Sequence, residues 1–321
     1  MNGGTKNTLK HVVCPLVAAF IWGSAFLVQG SVTDKLGAFS VNALRSLVAV
    51  ICLFSLSLFI DIRKIKRNEC VGKSDFKSFF RGGLACGVFL FLGANFQQLA
   101  IEGNVGGFIT EGVVAFITAF YMVLVPVAET FLGRETGAFV WIAVAIAIAG
   151  LYLICVDGAF RFNKYILFAV LNAVFYTFHI LAVDRFAPKI DPIKLSCGMF
   201  LFNFIFSSVC ALAFEKIDFA AVKDCALPIL YIGLFSSTIG FTLQIVAQSG
   251  GNPTLVSLLM CMESVFALLI QIVIGFLFPE KRAILSLPQY FGCGLMFAAV
   301  VISQIGAGKT DKNRVSERLD K

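Results

Sequence analysis

Residues 138–156 read AFVWIAVAIAIAGLYLICV, nineteen positions without a charge. A helix of that length rises about 28 Å, close to the roughly 30 Å of a bilayer's hydrocarbon core. The run is continuous and does not alternate, which argues against a barrel strand. Residues 195–214 are likewise free of charge. Extending outward with a window of about 20 apolar residues predicts eight further spans, at 12–30, 39–60, 82–101, 108–132, 165–184, 226–248, 252–278 and 288–306. The expected fold is an all-α membrane protein with ten transmembrane helices.

Composition supports this reading. Hydrophobic residues make up 59% of the chain and charged residues 14%, against about 25% charged in a soluble domain. Too little polar surface is present for a water-facing exterior, and the mean hydropathy of +0.89 agrees. The 35 Phe and 28 Gly suit membrane helices, in which small residues let backbones approach. The net charge of +7 lies in short loops and the C-terminal tail, so no nucleic-acid partner is expected. Ten cysteines are scattered with no C-x-x-C, and there are two histidines. Neither a zinc site nor a disulfide scaffold is indicated. No phosphate-binding G-x-x-x-x-G-K-[ST] loop occurs, nor H-E-x-x-H or G-x-S-x-G. The chain is therefore expected to be neither ATP-driven nor an enzyme, and to need no cofactor. Lys6 and Lys10 precede the first apolar run, which reads as an uncleaved first span because many equal runs follow.

Lys and Arg set the orientation. With a cytoplasmic N-terminus, the inner segments hold 18 of them and the outer loops 7, Arg45 lying within a span. Both termini are then expected in the cytoplasm of a multi-pass cell-membrane protein. The basic run Arg63-Lys64-Ile65-Lys66-Arg67 reads as a topology anchor beside anionic headgroups. The chain also repeats. Gly93, Gln97 and Ala100 recur at a constant offset as Gly240, Gln244 and Ala247, and Trp22 and Arg45 are spaced as Tyr176 and Met199 are. Five spans per repeat force the second copy to insert upside down, an architecture of secondary transporters with the site near the midplane. Two inverted five-helix repeats are expected, 12–156 and 165–306, followed by a polar tail, 307–321.

The residues that carry a family likeness are Trp22-Gly23-Ser24-Ala25-Phe26, Ala43-Leu44-Arg45, Phe116-Ile117-Thr118, Val125-Pro126 and Gly133-Arg134-Glu135 in the first half. In the second they are Phe178 to Arg185, Leu243-Gln244, Ala247-Gln248 and Glu263-Ser264-Val265-Phe266-Ala267. In order and spacing the chain resembles the EamA-like members of the drug/metabolite transporter superfamily. The resemblance implies a ten-helix fold, alternating access, and transport of amino acids, metabolites or drugs, usually outward. It fixes no substrate contact, since Met199-Phe200 and Pro279-Glu280 depart from the pattern.

A charge at bilayer depth costs about 2.5–3.5 kcal/mol on insertion scales and needs a partner or a role. Glu263 is expected mid-helix in the ninth span, either as a carboxyl that exchanges protons or as a structural hydrogen-bonded one. Arg45 could bind an anionic group, pair with a carboxylate or serve packing. His179 could relay protons or be a hydrogen-bonded boundary residue. Gln97 and Gln244 would share a depth at the repeat interface, where an amide can donate to and accept from a zwitterion. Interhelical bonding is the other use, and Asn95, Gln98 and Gln248 could join it. Trp22 could wall a cavity or face lipid. Glu111 should begin the fourth helix as a cap, and Asn252-Pro253 should open the ninth. The expected function is a secondary active exporter of a small metabolite, amino acid or drug, with protons as a possible coupling partner. An importer, or a membrane enzyme or lipid-carrier factor, is the alternative.

Overall fold

The computed structural model describes residues 3–67, 76–104, 111–134, 136–155, 163–277, 287–288 and 290–303. The helices are α1 (Gly3–Gly30), α2 (Ala38–Lys66), α3 (Phe76–Ile101), α4 (Glu111–Thr118), α5 (Tyr121–Phe131), α6 (Ala138–Cys155), α7 (Lys164–Phe186) and α8 (Pro192–Phe214). After them come the short α9 (Phe219–Asp224), α10 (Ala226–Tyr231), a π-helical segment Ile232–Gly240, α11 (Phe241–Gln248), α12 (Pro253–Met260), α13 (Glu263–Leu277) and α14 (Tyr290–Ser303). No strand occurs among the described residues. Among the described residues seven helical runs are long and apolar enough to cross a membrane, and three shorter apolar helices accompany them. The tail 307–321, Glu135 and Pro279-Glu280 lie outside the described residues.

Several helices run past their apolar segments. α2 continues to Lys66, with Arg63, Lys64 and Lys66 in its last turn. Cations there complement the helix dipole and keep their heads in water. Two expected spans are broken. Segment 108–132 is split between α4 and α5 at Ala119-Phe120, and segment 252–278 between α12 and α13 at Cys261-Met262. At both places the backbone tightens by one residue. Phe120 N–H bonds to Ile117 O and Met262 N–H to Leu259 O, each spanning three residues instead of four. Glu263 is thus the first residue of α13, not a mid-helix residue. Asn252 does cap α12, accepting from Leu255 N–H at 3.2 Å, with Pro253 in the first turn.

The polarity is inside out. Ile51, Phe54, Leu58, Phe59, Val209, Leu212 and Phe276 are exposed, whereas Asn42, Asn95, Gln98, Asn172 and Asn203 are buried. Only an apolar solvent makes that distribution favourable. Hydrogen bonds knit the buried groups across helices. Asn42 Nδ2 donates to Ala94 O and to Asn95 Oδ1, and Asn95 Nδ2 donates to Ser207 Oγ, joining α2, α3 and α8. Asn172 Nδ2 donates to Gly93 O and Asn172 Oδ1 accepts from Thr118 Oγ1, joining α3, α4 and α7. Such bonds contribute on average about 0.6 kcal/mol each. α3 and α8 meet at Gly83 and Gly198, where a Cβ on either would stand 3.2 Å from the other's backbone.

The two ends of the bundle differ. At the N-terminal end Lys10 Nζ donates to Ser249 O and His11 Nδ1 lies 2.6 Å from Ala247 O. At the opposite end Glu215 Oε1 and Oε2 accept from the N–H groups of Phe39 and Ser40, and Glu102 Oε1 accepts from Ala38 N–H. Two carboxylates therefore satisfy the first turn of α2. Burial raises the Glu102 pKa, the bond from Ala38 N–H opposes that, and the charge of Glu215 adds to it.

Candidate functional site

Between the ends lies a cavity lined from both halves of the chain. α1 presents Trp22, Ala25, Phe26 and Gln29, one helical face at spacings of three, four and seven. α2 contributes Arg45, α3 Gln97, α7 Tyr176 and Ile180, the π segment Ser236, and α11 Phe241 and Gln244. The residues flanking the two breaks complete it, with Thr118 and Tyr121 on one side and Met260 and Glu263 on the other. A tightened turn in each broken helix thus sits at the cavity, where an irregular backbone can be tolerated at membrane depth.

Arg45 is held by neutral groups alone. Its Nε donates to Ser237 Oγ at 2.8 Å, Nη2 to Ser236 Oγ at 2.9 Å and Nη1 to Gln29 Oε1 at 2.8 Å. Among the described residues no carboxylate pairs with it. Consecutive residues of an α-helix diverge by about 100°, but the wide turn of the π segment lets Ser236 and Ser237 both meet one edge of the guanidinium. Trp22 Nε1 donates to the carbonyl of the same Ser236. Trp22 also packs on Phe241, ring centroids 4.9 Å apart. Among the described residues these three bonds use three of the five guanidinium N–H groups, leaving two for other acceptors.

Glu263 is buried, and Tyr121 donates to its Oε1 at 3.4 Å. α1 reaches the break before α13 because residue 23 is glycine. A Cβ on Gly23 would stand 2.7 Å from the Glu263 carbonyl and 2.8 Å from Ala267 N. Gln244 Nε2 donates to Gln248 Oε1 at 3.0 Å, and Gln248 Nε2 donates to Ile180 O at 2.9 Å. Gln244 Oε1 has no partner among the described residues.

Of the six residues singled out from the sequence, Trp22, Arg45, Gln97, Gln244 and Glu263 line this one cavity. His179 stands behind it, fully buried two turns before the end of α7, with Nδ1 3.1 Å from Cys86 O. Its ring packs edge-on against Tyr176 and Phe241, which do line the cavity. Asn95 turns to α8, Gln98 donates to Thr33 Oγ1, and Gln248 joins Gln244. Glu111 is the first residue of α4.

Sequence reading missed Tyr121, Gln29, Ser236 and Ser237. Gln29 lies seven residues after Trp22, a helical-face signal that could have found it. It also missed a clamp at the N-terminal end of the bundle. Arg134 Nη1 bonds Glu129 Oε1 at 2.9 Å and Asp184 Oδ2 at 2.8 Å. Glu129, buried in α5, also accepts from Thr254 Oγ1 of α12. The clamp ties α5, α7 and α12 together. Asp184 first, then Glu129, holds the Arg134 guanidinium above its usual range.

Comparison with known proteins places this architecture. The chain is 27% identical over 305 residues to an uncharacterized transporter of Archaeoglobus fulgidus, covering 93% of this chain and 87% of that one. A solved crystal structure matches it with a TM-score of 0.72 at 19% identity, covering 94% of this chain and 98% of its own, a likeness of fold. The family model of EamA-like transporters matches twice, at residues 9–156 and 163–304. A multi-pass helical membrane protein with that double match belongs to the EamA-like transporter family.

Proposed function

We propose that the chain is a secondary active transporter that exports small zwitterionic metabolites, such as amino acids, by alternating access. The observation that carries this reading is the cavity itself. A guanidinium with no carboxylate partner among the described residues, a carboxyl and three amides sit among Trp22, Phe26, Tyr176 and Phe241. A solute with an anionic end, a cationic end and an apolar body matches that lining, and a site drawn from both halves suits a rocking of one half against the other. Ten spans, counted with the broken fourth and ninth as one each, form two inverted repeats, 12–156 and 165–306. Both termini face the cytoplasm of the cell membrane. The chain moves its solute unchanged and catalyses no reaction.

Glu263 couples the movement to protons. It stands at the start of α13, against a break and beside Tyr121. A conformational change there would alter its access to water, and a ligand or proton can shift an equilibrium only through differential affinity for the two states. The test is transport of an amino-acid panel in proteoliposomes with an imposed proton gradient. Glu263→Gln is expected to insert normally, keep solute exchange and lose proton-driven accumulation. Wild-type accumulation by Glu263→Gln across pH 6–8 would make the carboxyl structural.

A further inference from the structure

We infer that the carbonyl oxygen of the Gln244 side chain reads an N–H donor of the ligand, the ammonium of a zwitterion, and that Gln248 sets the direction in which Gln244 points. The inference rests on the zwitterion reading above and goes beyond it by assigning the amine end.

One group beside Gln248 can only accept a hydrogen bond. The Ile180 carbonyl lies 2.9 Å from the Gln248 side chain, so the atom facing it must be the NH₂ group. Gln248 therefore presents its oxygen to Gln244, 3.0 Å away. An oxygen there admits only the NH₂ group of Gln244, because two acceptors facing each other repel. Each amide direction follows from the one before, and the chain ends at Gln244 Oε1. That atom is buried and has no partner among the described residues. Gln244 itself lines the cavity and is 2% exposed. Rotating it to satisfy the oxygen would break the bond to Gln248 and leave two buried amides unmet in place of one.

Several other polar groups of the lining are already engaged or offer no acceptor. Arg45 is donor-only, Trp22 Nε1 is taken by Ser236 O, and Tyr121 donates to Glu263. The lining thus carries spare donors on Arg45 and acceptors on Gln244, Gln97 and Glu263, of which Gln244 Oε1 has its direction fixed by its neighbours and no partner among the described residues. A carboxylate belongs at Arg45 and an ammonium at Gln244. Such an arrangement discriminates strongly, because a ligand lacking the donor leaves the buried oxygen unmet.

The experiment measures binding of three probes to the purified protein in nanodiscs by calorimetry. They are L-leucine, 4-methylpentanoate, which lacks the amine, and 3-methylbutylamine, which lacks the carboxylate. Wild type is expected to bind L-leucine at least about 10-fold more tightly than 4-methylpentanoate. Gln244→Met should bring that ratio to within about 3-fold while leaving 4-methylpentanoate affinity unchanged. Gln248→Met should shrink the ratio as well, a change that loss of packing alone would not produce. If Gln244→Met weakens L-leucine and 4-methylpentanoate by the same factor, or leaves their ratio intact, Gln244 does not read the amine and the transport reading stands. If wild type binds none of the three probes, the zwitterion reading fails and this inference falls with it.

Discussion

Arg45 shows how one residue can shape a site through what it lacks. A guanidinium at membrane depth normally finds a carboxylate, and this one finds two hydroxyls and an amide. Its charge is solvated yet not neutralised, which leaves it available to an anion. Lysine is a poor substitute, since a compact ammonium cannot span Ser236, Ser237 and Gln29 as a planar fork does. Arg45→Lys is expected to fold and insert, and to raise KM for a zwitterionic solute by about 10- to 100-fold, the worth of a charge-assisted hydrogen bond. Transport kinetics in proteoliposomes check this, and an unchanged KM would remove Arg45 from the ligand's path. At this scale the sequence marked the charged residues well, because a charge in an apolar run is conspicuous. It marked Tyr121, Ser236 and Ser237 poorly, because hydroxyls are common in membrane helices and only their neighbours distinguish them.

At the scale of elements, helix placement was legible and helix continuity was not. Ala119-Phe120 and Cys261-Met262 contain neither glycine nor proline, so nothing in the hydrophobic pattern signals a break. Side chains beside the breaks meet partners far along the chain, Thr118 on Asn172 and Tyr121 on Glu263. The clamp of Arg134, Glu129 and Asp184 acts between elements and carries a prediction of its own. Arg134 is half exposed, so its pairing with Asp184 alone contributes at most about 1 kcal/mol. Glu129 is buried, and losing its cation exposes it to part of the 3–5 kcal/mol cost of breaking a buried pair. Arg134→Gln should therefore destabilise the protein by about 1–3 kcal/mol. Adding Glu129→Gln should recover most of that, because a neutral amide still meets Thr254. Thermal unfolding of the single and double variants in detergent measures the coupling, and additive losses would show that the clamp is not a unit.

For the whole molecule, the charge asymmetry and the repeated motif predict a topology that labelling can test. Cys225 is a poor reporter, since it is packed with Val32 and Ile229. On a cysteine-free background Lys216→Cys should react only from outside and Lys189→Cys only from the cytoplasm, and the reverse pattern would overturn the orientation. The membrane class was legible because hydropathy is a bulk property, recorded in every span. The cavity was less so, since it depends on distant residues meeting at a shared depth. One local feature reaches across the whole chain. The π segment Ile232–Gly240 closes its hydrogen bonds over five residues where an α-helix uses four. Deleting one residue within it would turn everything beyond by about 100°. Gln244 would swing away from the solute, and Arg45 would keep one serine, not two. A gain or loss of a single codon here would therefore act as a switch of specificity inside an unchanged scaffold, and a one-residue gap at this point in an alignment should separate relatives that handle different solutes.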